Sequence, residues 1–175
     1  NENTVVTEYE PVKKRSDSYQ SEAALENEFI HMLEEQGYEY LSLHTEDKLV
    51  INLRKQLEKL NNYSFTDKEW KRFLAESIAN PIKEKTRKIQ EDYIQVLKRD
   101  DGTSKNIILL DKKDIHHNYL QVIHQYEVSK EHGAKHDNRY DVTVLVNGLP
   151  LVHIELKRRG IPIREAFNQV ERYQR

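Results

Sequence analysis

The 175-residue chain has no cysteine, one methionine and one tryptophan. Without cysteine there is no disulfide scaffold, no thiolate zinc site and no cysteine nucleophile. Glycine (5) and proline (4) are scarce, and no glycine-rich linker, low-complexity tract or internal repeat interrupts the chain. Charge of one sign is missing as well. The 28 Lys and Arg oppose 30 Asp and Glu, for a net charge of -2, which excludes a histone-like basic chain or an acidic tail. No apolar run approaches the roughly 18 residues of a membrane span. The stretch from Asn1 to Arg15 is too polar to be the apolar region of a secretory signal. A cytoplasmic location without a membrane partner is the expectation.

What the chain does have is charge in quantity. Charged residues reach 33% and hydrophobic ones only 37%, against roughly 25% charged in an average domain. Mean hydropathy is -0.89. The length suits one domain with a modest core, or a piece of something larger. Residues 1–17 lack apolar periodicity and read as an extended or disordered arm. Residues 18–175 read as one domain. Ala24, Leu25, Phe29, Ile30 and Leu33 recur at helical spacing, with Ser18 or Ser21 as cap and Gly37 as stop. Tyr38–His44 alternates as a short strand. Asp47–Leu60 carries a leucine stripe, and Thr66 caps a helix bearing Trp70, Phe73, Leu74 and Ile78. These two helices read as a helical insertion over 46–86. Beyond Lys88 the period falls to two. Strands are expected at Ile89–Leu97 and Asn106–Leu110, turning at Asp100-Asp101-Gly102, and at Asn118–Tyr126. A polar loop, Val128–Asn138, follows. Tyr140–Val146 and Leu149–Lys157 then flank Asn147-Gly148, a strong hairpin signal. Ile161–Arg175 closes as a helix, with Pro162 near its start. The fold class is α/β, a central mixed sheet flanked by helices.

The last hairpin carries the chemistry. Asp141 opens one strand, and Glu155 and Lys157 end the other. Two carboxylates and a lysine suit metal-dependent phosphodiester hydrolysis. Carboxylates are hard oxygen ligands for Mg2+, a bound metal activates water and polarises phosphate, and a lysine stabilises charge on the attacked group. Register decides whether the two carboxylates meet. A regular two-residue turn pairs Asp141 with Ile154 and points it away from Glu155. A three-residue loop, or a bulge elsewhere, pairs it with Glu155. By itself the spacing D-x13-E-x-K is a weak pattern in so charged a chain, and a solvated strand end is the readier account of it.

Longer stretches are more specific. Asn138-Arg139-Tyr140-Asp141 with the following VTVLVNGLPLVHIELK resembles the nuclease motif of the restriction (R, or HsdR) subunit of type I restriction–modification enzymes. GIPIREAFNQVERY, from Gly160 to Tyr173, resembles the next helix of that family. DSYQSEAALENEFIHMLEEQGYEY, from Asp17 to Tyr40, resembles its start, and WKRF and KTRKIQ are similar too. The resemblance implies a PD-(D/E)xK nuclease core, with Tyr140 where the generic motif has proline. It implies Mg2+ bound by Asp141 and Glu155, with Lys157 as the catalytic lysine. Gln169 and Tyr173 match the Q-x-x-x-Y element of RecB-type members. Glu26 corresponds to the acidic residue that approaches the metal through water, with Glu22 and Glu28 as close competitors. The implied substrate is double-stranded DNA. The implied partners are methyltransferase and specificity subunits and the motor domains of the same subunit. ATP would act only through those motors, since no G-x-x-x-x-G-K-[ST] loop occurs here. In this fold a further core strand should follow the last helix, so a fragment of a translocase subunit is expected. A non-catalytic DNA-binding or subunit-docking domain that keeps the nuclease fold is the other reading.

Other features have simpler explanations. Lys157, Arg158, Arg159, Arg164, Arg172 and Arg175 form either a phosphate-facing patch or a solvated helix face. His116, His117, His132 and His136 lack zinc-type spacing. His153 shares a strand face with Glu155, and a packing or hydrogen-bonding role suits it best. Trp70 reads as core.

Overall fold

The computed structural model describes residues 21–78, 87, 89–128, 138–157 and 160–174. The expected arm at 1–17, the end of the expected insertion at 79–86 and the loop at 129–137 lie outside them.

Helix α1 spans Glu22–Glu35, and the Ser21 hydroxyl accepts from Ala24 N–H at 3.1 Å. Gly37, at φ 92°, follows its last turn. Strand β1 is only Glu39–Tyr40, shorter than the alternation over Tyr38–His44 suggested. It pairs parallel to a central strand, and one more hydrogen bond, from Leu41 N–H to Val122 O, ends the contact. Helix α2 is Glu46–Asn61, closed by Asn62 in a left-handed conformation. Helix α3 is Asp67–Phe73, and its last turn widens into a π-helical turn at Leu74–Ile78. Thr66 and Glu69 form a reciprocal capping box at its start, which satisfies two otherwise orphaned N–H groups.

Strands β2 (Ile94–Lys98) and β3 (Ser104–Ile108) form a separate antiparallel pair. The strand expected from Ile89 begins five residues later. Residues 89–90 are still helical and Glu91 N–H bonds to Arg87 O; the charged pair Glu91-Asp92 separates the two patterns. After a 3-10 turn at Ile115–His117 come β4 (Leu120–Val128), β5 (Asn138–Val146) and β6 (Leu149–Ile154), and then helix α4 (Ile163–Gln174). The main sheet has the order β1-β4-β5-β6, with β1 parallel and the rest antiparallel. This is a mixed α/β layout of the nuclease-like kind.

The sheet is covered on both faces. Ile30 and Leu33 of α1 pack with Val122 and Val142. On the other face Leu49 of α2 packs with Ile123, Tyr126 and Leu145. Leu53 and Leu57, further along the same stripe of α2, join Trp70, Phe73, Leu97, Ile107 and Leu149 in a third cluster. One α2 surface therefore ties the two-stranded sheet to the main one. Between α2 and the sheet runs a chain of side-chain hydrogen bonds, buried at Asn52 and Gln56 and reaching the surface at Glu39. Gln121 donates to Glu39, Asn52 to Gln121 and Gln56 to Asn52, at 2.8, 2.9 and 3.3 Å.

The β5–β6 turn is held against this framework. Asn147 and Gly148 have φ of 51° and 79°, the pair of left-handed residues that a two-residue hairpin turn requires. Asn147 is fully buried. Its amide donates to Leu109 O and Asn118 Oδ1 and accepts from Tyr119 N–H. A Cβ on Gly148 would lie 2.7 Å from Leu53 Cα, so the turn touches the α2 backbone itself. Among the described residues no helix is long and apolar enough to cross a membrane.

Candidate active site

The hairpin resolves the question of register. Its turn holds two residues, because Val146 pairs with Leu149 and Leu145 with Pro150. The register then shifts by one: Val144 pairs with Val152 and Val142 with Ile154. Leu151 is the extra residue, a β-bulge that puts two residues of β6 against one of β5. Continuing the shifted register sets Asp141 opposite Glu155. The bulge, and not a longer loop, does this.

At the end of the hairpin three side chains meet. Asp141 Oδ2 accepts from Leu156 N–H at 2.8 Å, which fastens the end of β5 to the chain beyond β6. Lys157 Nζ donates to Glu155 Oε1 at 2.5 Å. Asp141 is near enough to Glu155 for its charge to act on it. The side chains of Glu155 and Lys157 are only 5% and 18% exposed. Glu155 and Lys157 lie past the last ladder pair of β6, so the strand expected to run to Lys157 ends at Ile154.

The electrostatics are those of crowded negative charge. Burial raises the Glu155 pKa above the usual carboxylate range, and the Asp141 charge raises it further; the ion pair with Lys157 opposes both and loses. Burial alone would lower the Lys157 pKa, but its bond to Glu155 and the charges of Glu155, Asp141 and Glu22 of α1 hold it above the ordinary lysine value. Lys157 is therefore a firm ammonium. Two carboxylates set opposite each other at the end of one hairpin favour a cation between them. That donor set fits Mg2+, which takes one or two carboxylates and fills its remaining positions with water and phosphate oxygens.

The other candidates are distributed around this centre. Glu26 is buried on α1, and its Oε2 accepts from the Gln125 side chain of β4 at 3.3 Å. It does not join Asp141 and Glu155 in a cluster, since no group of three or more potential metal ligands occurs among the described residues. Glu22 is the α1 carboxylate whose field reaches Lys157. Gln169 lies half-buried on α4, one helical turn before Tyr173; the Tyr173 side chain is outside the described residues. Arg164 is exposed at the start of α4, and Arg158 and Arg159 lie outside the description. His153 stacks on Tyr140, ring centroids 4.0 Å apart, and hydrogen-bonds Thr143 at 2.9 Å. His117 pairs with Asp111, and Trp70 is core.

The sequence reading missed Gln125. It has a φ of 49° in the middle of β4, across from Asp141. Nothing in the local pattern HQYEV announces a left-handed residue, and only the tertiary structure reveals it.

The chain is similar to known proteins along nearly its whole length. The family model described as the type I restriction enzyme R protein N terminus matches residues 19–175. The EcoprrI endonuclease subunit of a type I restriction enzyme from Escherichia coli is 50% identical over 173 residues, covering 97% of this chain and 54% of that protein. The SauMSSORF170P endonuclease subunit from Staphylococcus aureus (strain MSSA476) is 42% identical over 163 residues, covering 90% of this chain and 17% of that protein. The SsaAORF53P endonuclease subunit from Staphylococcus saprophyticus is 43% identical over 162 residues, with the same coverage. The chain thus spans about half the length of the first of these relatives and about a sixth of the other two. With a family match across nearly its whole length and a nuclease-like fold, the chain belongs to the family of type I restriction enzyme R protein N-terminal domains.

Proposed function

We propose that this chain is the DNA-cleaving module of a type I restriction enzyme, hydrolysing phosphodiester bonds of double-stranded DNA with Mg2+ and leaving a 3′ hydroxyl and a 5′ phosphate. The observation that carries the reading is the bulge at Leu151, which sets Asp141 against Glu155 beside Lys157. A solvated strand end has no need of a register shift that brings two carboxylates opposite each other.

Asp141 and Glu155 would hold the metal, with Glu26 or Glu22 as the acidic residue acting through water. Bound there, Mg2+ supplies Lewis-acid polarisation of the phosphate and a more acidic water. Asp141 and Glu155 would both bind it as carboxylates, the form in which a carboxyl group is a ligand. The Lys157 ammonium stands beside Glu155. It orients the attacking water and stabilises charge on the phosphoryl oxygens. Leu156 N–H keeps Asp141 in place throughout. Gln169 and Tyr173 on α4 orient the hairpin or meet the DNA backbone. Phosphate contacts of this kind are salt-sensitive and indifferent to sequence, so recognition would belong to a separate specificity subunit, with a methyltransferase subunit beside it. Cleavage would be coupled to ATP-driven translocation by motor domains of the same subunit.

Calorimetric titration with Mg2+ or Mn2+, alongside plasmid nicking, tests the reading. The parent chain is expected to bind metal and Asp141→Ala to lose it. Lys157→Ala is expected to keep metal binding and lose nicking by about 100-fold or more, the scale of removing one transition-state donor. Metal binding unchanged in Asp141→Ala would remove the hairpin from the chemistry. Binding without nicking by the parent would leave the hairpin as the metal site and assign cleavage to the longer subunit. DNA binding with no metal bound at all would favour a docking domain.

A further inference from the structure

The main sheet loses its alternation at one place. Val122 of β4 and Val142 of β5 pack with Ile30 and Leu33 on the α1 face. In regular strands Tyr126 and Tyr140 would share that face. They instead pack with Leu49 and Ile123 on the α2 face, and Tyr140 stacks on His153 there. The pairing register is unchanged across the break: His124 pairs with Val142 and Tyr126 with Tyr140. Both strands therefore reverse face together, at Gln125 on β4 and at Asp141 on β5. Gln125 takes the left-handed conformation, φ 49°, which a residue with a side chain adopts unfavourably and which an over-determined surrounding must hold. Its amide reaches α1 and donates to Glu26 at 3.3 Å. The neighbouring His124 also faces α1, bonded to Tyr40 and within the field of Glu26.

We propose, resting on the metal-site reading above, that Gln125 is a positioning residue of that site. Its left-handed backbone turns the β4–β5 pair so that Asp141 leaves the regular alternation and meets Leu156 N–H and Glu155. Its amide fixes the Glu26 carboxylate against the same point of the sheet. The backbone and the side chain thus act on different acidic residues, and substitutions separate them. Glycine keeps the left-handed backbone and deletes the amide. Asparagine tolerates the left-handed region and keeps an amide. Valine opposes the left-handed backbone.

The test is calorimetric titration of the 175-residue chain with Mn2+ for the parent, Asp141→Ala, Gln125→Gly, Gln125→Asn, Gln125→Val, Glu26→Gln and the Gln125→Gly/Glu26→Gln double variant. Circular dichroism reports folding of each. If the parent binds no Mn2+, or Asp141→Ala binds as well as the parent, the metal-site reading itself fails and the role of Gln125 falls with it. Where Asp141→Ala loses binding, Gln125→Gly is expected to weaken Mn2+ by about tenfold, the usual cost of removing a partner behind a metal ligand. Gln125→Asn should stay nearer the parent, and Gln125→Val should lose more than Gln125→Gly. The double variant should bind no more weakly than Glu26→Gln alone, because the amide acts through that carboxylate. Should Gln125→Val fail to fold, the glycine and double variants decide. Parent-like Mn2+ affinity in Gln125→Gly, or losses at Gln125 and Glu26 that simply add, would overturn the proposal while leaving the metal site standing.

Discussion

Glu155 sits under competing demands. Burial and Asp141 favour its proton, and Lys157 favours its charge; the first two prevail. A carboxyl group whose pKa is raised by folding contributes stability that is complete below its unfolded value, about 4.3, and lost as pH rises through the raised folded value. The metal-free chain is therefore expected to lose stability as pH rises through that window. Glu155→Gln should flatten the dependence. Urea midpoints measured across pH check this, and equal slopes in parent and variant would contradict it. Added Mn2+ should reverse the trend, because a cation favours the deprotonated form that burial disfavours. The identities of Asp141, Glu155 and Lys157 as candidates were legible in the sequence. The burial that raises the Glu155 pKa was not, because it depends on how the chain beyond β6 lies over the end of β5.

The hairpin depends on a contact far from its own sequence. Asn147-Gly148 is readable as a turn from two letters, since both positions require left-handed backbone. That the turn is pressed against Leu53 of α2 is not readable, because a leucine stripe shows which face of α2 is apolar and not what it meets. Gly148→Ala is expected to destabilise the chain by more than about 2 kcal/mol, combining the left-handed penalty with a backbone clash at Leu53. Urea unfolding measures it, and a loss under about 1 kcal/mol, the low end of that penalty, would mean the turn moves away from α2. The bulge at Leu151 was foreseeable only as one of two ways to bring the carboxylates together. The reversal at Gln125 left no sequence mark at all. Boundaries fared least well at two strands: β1 keeps two residues of an alternating seven, and β2 begins only after the charged pair Glu91-Asp92.

For the molecule as a whole, a ligand that binds only the folded state adds to its stability. Mn2+ at 100 times its dissociation constant should raise the unfolding free energy by about 2.7 kcal/mol. The accompanying rise in Tm should vanish in Asp141→Ala, and scanning calorimetry with and without metal reads both. A rise of equal size in the variant would place the ion elsewhere. Helix α4 is expected to contribute little to the same stability. Its apolar residues Ile163 and Phe167 are 75% and 62% exposed, so Phe167→Ala should change the unfolding free energy by less than about 0.5 kcal/mol. A larger loss, measured in urea, would mean that Phe167 is covered in solution.

The two halves of the proposed metal site differ in how far the chain must travel to make them. Asp141 and Leu156, which fasten the hairpin half, are 15 residues apart. Gln125 and Glu26 are separated by 99. By the slow growth of closure entropy with loop length, the second contact costs roughly 1.5 kcal/mol more to bring together. The hairpin half is then the early-forming one, and the α1 half closes over it late. Substitutions in the hairpin should slow folding, whereas those at Gln125 and Glu26 should chiefly quicken unfolding. Under thermal stress the chain would open the Glu26 side first, while the two carboxylates of the hairpin are still together.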